Sequence, residues 1–399
     1  MKIAVLVSGG VDSSVALKLL KDQGHDLTAF YLKIWLEEEL SFSGECPWKE
    51  DLDFAEKICK QLDVPLKVIP LQKEYQERIV NYVVSEVKAG RTPNPDVLCN
   101  KEIKFGIFYD KIGAEFEKVA TGHYAQVEEK DGEYLLKTSP DPIKDQTYFL
   151  SHLSQKQLLR AMFPIGHLTK KEVRVLAEKF DLPTKVRKDS QGICFLGKIK
   201  FDDFVKHHLG TKVGDIVEFE TGKKLGQHDG FWYHTIGQRK GLGLSGGPWY
   251  VVSKDIEKNI VFVSNKYFSP EKARDEFKVG NLHWISGVPP FPVCLDLSIH
   301  SPSQKLRGIL KANGQEESDH PVLRQAQDKI VSKGNNDRIE IANLKVKIRH
   351  GESFYECKLM LNSDGTADVK ISERDQGIAA GQFAVFYENK ICLGCGVIL

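Results

Sequence analysis

The 399-residue sequence predicts an α/β protein: an N-terminal doubly wound parallel sheet, then a small mixed central domain, then a C-terminal β-barrel. Three observations point there. Up to about residue 125, short apolar runs alternate with stretches of helical period, the pattern of strands and crossover helices. The first run, Ile3-Ala4-Val5-Leu6-Val7, leads directly into Ser8-Gly9-Gly10 and a helix. From about Asp215 the texture changes to short alternating segments punctuated by Gly, Asp and Asn, which suits small sheets and barrels.

The elements follow in order. Ile3, Val5 and Val7 are β-branched, and their unbroken apolar run suits a strand covered on both faces. Gly9 and Gly10 let backbone N–H groups approach an anion. Ser13 and Ser14 stand at the helix start, where hydroxyls and free N–H groups would aim at negative charge. That helix, expected over 13–23, stops at Gly24 before a second strand over 27–35. Acidic loop-like sequence over 37–47 precedes a helix over 50–63, with Phe54, Ala55, Ile58 and Leu62 at helical spacing and Pro65 as its end. A strand over 66–69 and a helix over 74–88 continue the alternation. The stretch from Gly90 to Asn100 carries Pro93 and Pro95 and reads as a loop, followed by a helix over 100–116. A strand over 118–121 ends in Thr121-Gly122-His123-Tyr124, at the edge where open α/β sheets bind ligands.

Asp131-Gly132 turns a hairpin, Lys144-Asp145-Gln146-Thr147 opens a helical stretch, and Thr169-x-x-Glu172 is a capping box for a helix reaching about residue 180. Strand alternation recurs over 294–300, 344–349, 354–361 and 383–387, and the polar stretch 311–338 reads as a mobile insert. The expected division is 1–205, 206–280 and 281–399.

With 41% apolar and 28% charged residues, global disorder is excluded. A net charge of +1 says little, but its distribution is uneven: 33–56 holds 2 basic against 8 acidic residues, and 156–240 holds 17 against 10. The basic middle fits either a nucleic-acid footprint or a solvated face. The 8 cysteines form no regular framework of the secreted kind, the first core strand begins within two residues of Met1, and no apolar run reaches membrane length, so a cytoplasmic protein without a membrane partner is expected.

The chemistry starts at the loop. It lacks the Gly-Lys-Ser/Thr ending of a Walker A motif, so no lysine there reaches for a γ-phosphate. The string Ser8-Gly9-Gly10-Val11-Asp12-Ser13 resembles the pyrophosphate loop of ATP pyrophosphatases, which split ATP between its α and β phosphates. On this loop alone, ligating members such as argininosuccinate or GMP synthetases fit as well, although they would not need Cys99 and Cys194; a tRNA-binding module that has lost catalysis is a further alternative, against which the intact loop and both cysteines speak.

A longer set of motifs is more specific. The loop to Ser14, then Asn94-Pro95-Asp96-Val97-Leu98-Cys99-Asn100, Thr121 to Tyr124, Lys144 to Gln146, Asp189 to Phe195 and Gly237 to Gly243 resemble, in this order and over nearly the whole chain, the tRNA-specific 2-thiouridylases. The resemblance implies an adenine nucleotide α-hydrolase-like first domain and replacement of the carbon-2 oxygen of uridine 34 by sulfur, in tRNAs of the Lys, Glu and Gln type. It implies an ATP site of Leu6, Val7, Ser8, Gly9, Gly10, Val11, Asp12 and Ser13, with Leu32 and Gly122, and Mg2+ accompanying ATP. Leu32 stands where the family often has methionine. Asn94, Pro95 and Asp96 would meet the target base, and Lys144, Asp145, Gln146, Arg349 and His350 would touch tRNA. Cys194 would carry a persulfide received from a donor protein, and Cys99 would resolve it through a Cys99 to Cys194 disulfide.

The residues themselves agree with that assignment. A uracil oxygen is a poor leaving group until it is esterified with AMP, and pyrophosphate is released in that step. Cys99 is expected just before a helix opening at Asn100, where the dipole favours thiolate. Asp96 either binds the base or moves a proton. Cys392-x-x-Cys395 is not taken as a metal pair, since residues three apart on a strand face opposite sides and no second pair matches. Cys46, Cys59, Cys294 and Cys357 read as structural.

Overall fold

The computed structural model describes residues 1–34, 47–188, 200–267, 269, 274–289 and 339–399. Most of the acidic loop, the Asp189 to Phe195 segment with Cys194, the strand expected over 294–300, the insert at 311–338, and Cys46 and Cys294 lie outside the described residues.

In chain order the first strands are β1 (Lys2–Leu6), β2 (Asp26–Lys33), β3 (Leu66–Pro70) and β4 (Lys118–Ala120), followed by the hairpin β5 (Ala125–Lys130) and β6 (Glu133–Thr138), then β7 (Ala161–Met162). β3-β2-β1-β4-β7 form one sheet, parallel throughout. The order reverses between β1 and β4. A crevice opens there beyond the carboxyl ends of the strands, the usual ligand position of such sheets. β1 is sealed on both faces, with Ile3, Ala4 and Val5 all at 0% exposure.

The helices expected from the sequence form, several of them starting earlier than expected. The first runs Val11–Asp22 and the second Pro47–Leu62. The double-proline stretch is not all loop: Asn94 caps a helix by accepting the Val97 N–H, Pro95 occupies the first helical position, and the helix continues through Cys99–Ile107 in π geometry to Ile112. Proline is tolerated there because the first N–H of a helix has no partner to lose. The capping box forms as expected, Thr169 N–H donating to Glu172 Oε2 at 2.7 Å and Glu172 N–H to Thr169 Oγ1 at 3.3 Å, and starts the helix Lys170–Lys179.

β8 (Gly214–Glu218), β9 (Lys224–His228), β10 (Tyr250–Asp255) and β11 (Ile260–Ser264) make a small sheet of order β10-β11-β8-β9, mixed because only β11 and β8 run parallel. β12 (Arg274–Trp284), β13 (Ile339–Lys347), β14 (Tyr355–Leu361), β15 (Ala367–Asp375), β16 (Phe383–Glu388) and β17 (Ile391–Ile398) form an antiparallel ring, closed by β12 pairing with β17. β12 therefore runs across the division expected between 280 and 281. The hairpin turns at Asp131-Gly132 as expected, and β6 also pairs with β17, Ile391 opposite Lys137 and Cys392 opposite Leu136. A piece of the N-terminal part thus completes the barrel's sheet.

The core is continuous across that junction: Phe105, Phe108 and Tyr148 share one buried cluster with Phe383, Val385, Tyr387, Cys392 and Cys395. The two terminal cysteines face the same side, against expectation. Phe386 pairs with Gly394 and Tyr387 with Cys392, so Leu393 is an inserted residue whose bulge resets the alternation. No helix among the described residues is long and apolar enough to cross a membrane.

Candidate active site

The loop between β1 and its helix is wound tightly on itself. Gly9 adopts a φ of +72°. Ser8 N–H donates to Ser13 Oγ at 3.3 Å, and Ser13 Oγ and Ser14 Oγ donate to the Gly10 carbonyl at 3.1 and 2.9 Å. Both serines are buried, so the hydroxyls expected to point at an anion instead brace the loop from inside. What the loop offers a phosphate is backbone N–H at a helix N-terminus. The reversal at β4 brings Gly122 against it so closely that a Cβ on Gly122 would lie 2.7 Å from Ser13 N and 2.9 Å from Asp12 C. Only glycine lets the two backbones meet there.

Around this contact lies a cavity of about 400 Å³. Leu6, Val7, Ser8, Gly10, Val11, Asp12, Ser13, Leu32 and Gly122 all line it, as do Cys99, Lys144 and Gln146, whereas Gly9 stands behind the wall. Phe30, Tyr31, Leu32 and Ile34 give one side an apolar surface suited to an adenine ring, and the loop gives the other side N–H groups. Asp12 is the carboxylate at the phosphate end. It accepts from Tyr124 Oη at 2.7 Å and from Lys170 Nζ at 2.8 and 2.9 Å. Among the described residues no three His, Cys, Asp or Glu side chains cluster to hold a metal. A magnesium ion here would be held by Asp12, phosphate oxygens and water, an arrangement that suits this cation.

A second group sits beside the cavity. Asn94 is fixed through its N–H to Tyr82 Oη at 3.3 Å, and Thr92 N–H donates to the barrel carbonyl of Ala380 at 2.8 Å. Asn94, Pro95, Asp96, Arg349 and His350 do not line the cavity. His350 stacks on Phe149 with centroids 4.6 Å apart, and its Nε2 bonds the Asp145 carbonyl at 3.1 Å. Partial burial lowers the His350 pKa. The bond to Asp145 and the charges of Asp145 and Asp96 oppose that, which places Asp96 near this ring.

Three expected tRNA contacts are otherwise occupied. Asp145 is 2% exposed, with its carboxylate on Lys347 Nζ at 3.0 Å and on Thr147 Oγ1, so it points into the protein between Lys144 and Gln146. The Gln146 side-chain carbonyl accepts the Tyr124 N–H at 2.9 Å. Arg349 is bidentate to Asp375 at 3.0 and 2.7 Å.

Cys99 is 2% exposed and lies a full turn inside its helix rather than before it, beyond the first turn where the dipole acts. Cys194 lies outside the described residues, but residues on both sides of it share surroundings with Cys99. Arg187 and Lys188 line the same cavity, and Phe204 and Val205 share a buried cluster with Cys99. Cys392 and Cys395 are sealed in the core, and burial raises both thiol pKa values, that of Cys395 to about 12.

Three residues at the cavity escaped the sequence reading: Arg187 and Asp51, which line it, and Lys170, which reaches it only through Asp12. Lys170 is the first helical residue after the capping box, and Arg187 belongs to the basic run 185–188. Those local signals show a helix start and a charge, not what either faces. His123 is buried and bonded to Thr121 Oγ1 at 2.7 Å, and burial, with Lys104 nearby, holds it well below the ordinary histidine pKa and therefore neutral.

Residues 1–198 match the family model described as a tRNA methyl transferase HUP domain, 202–265 the tRNA methyl transferase PRC-barrel domain, and 325–398 the aminomethyltransferase beta-barrel domain. The chain is 43% identical to the tRNA-specific 2-thiouridylase MnmA of Parabacteroides distasonis, covering 100% of this chain and 99% of that protein. It is 42% identical to tRNA-specific 2-thiouridylase MnmA 1 of Bacteroides thetaiotaomicron and 41% to tRNA-specific 2-thiouridylase MnmA of Porphyromonas gingivalis, with the same coverages.

Proposed function

Because the chain belongs to the tRNA-specific 2-thiouridylase family, we propose that its cavity adenylates uridine 34 of tRNA at O2 and that a cysteine pair then replaces that oxygen with sulfur. The protein is a tRNA-modifying enzyme of an ATP-using family. The observation that carries the finer reading is the shared wall: the pyrophosphate loop and Cys99 line one cavity.

The chemistry follows from that juxtaposition. The uracil O2 attacks the α-phosphorus, and pyrophosphate leaves among the loop N–H groups, with Mg2+ sharing its charge when bound. Cys194, charged as a persulfide by a donor protein, brings the outer sulfur. Attack of the Cys99 thiolate on the inner sulfur forms the Cys99 to Cys194 disulfide and frees sulfide, which adds to C2 and expels AMP. A thiol reductant then returns the two electrons that reset the pair. The target base, extruded from the anticodon stack, would lie by Asn94, Pro95 and Asp96, with Lys144 and His350 beside it. Asp145 and Gln146 shape this surface from within. We assign 1–205 to catalysis, and 206–280 and 281–399 to holding tRNA of the Lys, Glu and Gln type against it. Methyl transfer, the word in two of the model descriptions, requires an electrophilic methyl donor, whereas a loop that cradles a leaving pyrophosphate serves adenylation.

The test is single-turnover reaction of the enzyme with tRNA, Mg-ATP and a persulfide donor. AMP, pyrophosphate and 2-thiouridine are expected in equal amounts. Cys194→Ala should make no 2-thiouridine and capture no persulfide, Cys99→Ala should capture it without turning over, and Cys392→Ala should behave as wild type. Formation of ADP and phosphate with tRNA present, or full activity in Cys194→Ala, would refute the scheme.

A further inference from the structure

The helix that carries Cys99 is wound in π geometry from Cys99 to Ile107, and the Phe108 N–H reaches back five residues to the Ile103 carbonyl. In an α-helix the side chains sharing a face with Cys99 would be Glu102 and Ile103. Pairing of residue i with i+5 turns Lys104 onto that side as well, and Ile103 and Lys104 both line the cavity with Cys99. Such windings are rare and are found mostly at functional sites. Here the result is an ammonium group on the wall that holds the thiol.

The thiol has need of it. Cys99 is 2% exposed and shares a buried cluster with Ile79, Val83, Ile103 and Phe204, surroundings that favour the neutral form. The helices packed there supply apolar side chains; among their titratable groups Tyr75 belongs to the cluster and the His208 ring lies 4.6 Å from that of Phe204. Cys99 also stands beyond the reach of its helix dipole. On its own helix Asp96 and Glu102 are carboxylates, and Glu102 accepts from Arg78 at 2.9 Å. Lys101 is turned elsewhere, its Nζ 3.4 Å from His152 Nε2 and 3.7 Å from Glu102 Oε1. His123, on the cavity wall, is held neutral by burial and by Lys104. Arg187, also on the wall, donates to the Gly9 carbonyl at 2.7 Å and pairs with Asp51. Among the described cations that line the cavity, Lys144, Arg187 and Lys188 come from other segments, and Lys104 shares the helix of the thiol.

We propose that Lys104 is a positioning residue of the sulfur-transfer step, its ammonium the counter-charge that holds Cys99 as a thiolate. This rests on the thiouridylase reading above, in which that thiolate attacks the inner sulfur of the persulfide. A neighbouring ammonium brings a thiol from a pKa of about 8.5 into the range of roughly 3.5–7.5. Burial without one does the opposite: it pushes the Cys59 thiol up to about 11. The π winding thus lets one buried cysteine react while the others stay inert.

The readout is the pH dependence of Cys99 alkylation by iodoacetamide, followed by mass spectrometry of its peptide in the full-length, reduced enzyme, since only the thiolate reacts. In wild type the rate should be half-maximal below about pH 7.5; Lys104→Met should raise that midpoint by a unit or more and cut the rate at neutral pH about tenfold. Lys104→Arg, which keeps the charge, should keep the wild-type midpoint. Single-turnover 2-thiouridine formation should fall by the same factor in Lys104→Met and recover towards about pH 9, while tRNA-dependent ATP–pyrophosphate exchange stays at the wild-type level. An unmoved alkylation midpoint would overturn the proposal: with exchange lost, Lys104 would be a phosphate ligand, and with exchange intact, a structural residue. Should Lys104→Met be insoluble, Lys104→Gln carries the same test. A midpoint that shifts as expected in an enzyme whose wild type makes no 2-thiouridine would instead strike the underlying reading.

Discussion

Two aspartate–lysine pairs divide the work of this protein. Asp12, on the cavity wall, meets Lys170 at 2.8 Å, with side chains 32% and 14% exposed. Asp145 and Lys347 meet at 3.0 Å where the barrel joins the N-terminal part, 2% and 1% exposed. The chemical groups are the same and the distances differ by only 0.2 Å, so the surroundings decide what each pair is for. Asp12 stays open to an incoming ligand, whereas Asp145 is sealed from solvent. Burying two charges costs about as much as their attraction returns, so the second pair contributes register and orientation more than net stability. It places Lys144 and Gln146 on the cavity by turning Asp145 inward between them.

This contrast is breakable. The largest effect should be Asp12→Asn: removing the charge at the phosphate end should cut ATP–pyrophosphate exchange by about 10²–10³-fold, the scale of losing one preorganised electrostatic group, while urea unfolding moves by less than about 1 kcal/mol. Loss of folded protein in that variant would erase the distinction drawn here. Lys347→Met should do the reverse, costing about 3–5 kcal/mol because the Asp145 charge is left buried and unpaired. The double variant Asp145→Asn with Lys347→Met should recover much of that stability. If the double variant is as unstable as the single one, the cost lies in packing and not in the orphaned charge.

The barrel junction should also be acid-labile. His283 bonds the Leu153 carbonyl at 2.9 Å, and burial, opposed by that bond, brings its pKa down to about 4. A histidine whose folded pKa lies below its unfolded value of about 6.5 contributes stability that is complete above pH 6.5 and lost as pH falls towards 4, amounting to about 3 kcal/mol. His283→Gln should flatten that part of the stability profile, and an unaltered profile would assign the acid lability elsewhere. The smallest effect is expected at Arg349. Because its guanidinium is half exposed, and because the buried Asp375 keeps Tyr355 Oη and the Gly377 N–H as donors, Arg349→Ala should cost only about 1 kcal/mol and leave the salt dependence of tRNA affinity unchanged. A slope reduced by about one would show that it leaves Asp375 to hold a phosphate.

The difference between the two pairs also explains what could be read in advance. The pyrophosphate loop was legible because consecutive residues build it: β-branched strand, two glycines, helix start. The Thr169 capping box and the Asp131-Gly132 turn were legible for the same reason. The double-proline stretch misled because two prolines suggest a loop, while Asn94 and Pro95 together begin a helix. The terminal cysteines misled because one inserted residue, Leu393, reverses a strand's facing.

By itself, then, the sequence determined the local devices and, through the order of its motifs, the family and its chemistry. Only the tertiary structure decided what Asp12, Gly9 and Asp145 face: Tyr124 lies 112 residues from Asp12, Lys170 lies 158 from it, Arg187 lies 178 from Gly9, and Lys347 lies 202 from Asp145. Short-range preferences act over three or four residues and cannot encode such meetings. They arise when sheet order, barrel closure and the shared core of β6 and β17 bring distant stretches of chain together, and burial there assigns each charge to a ligand or to the fold.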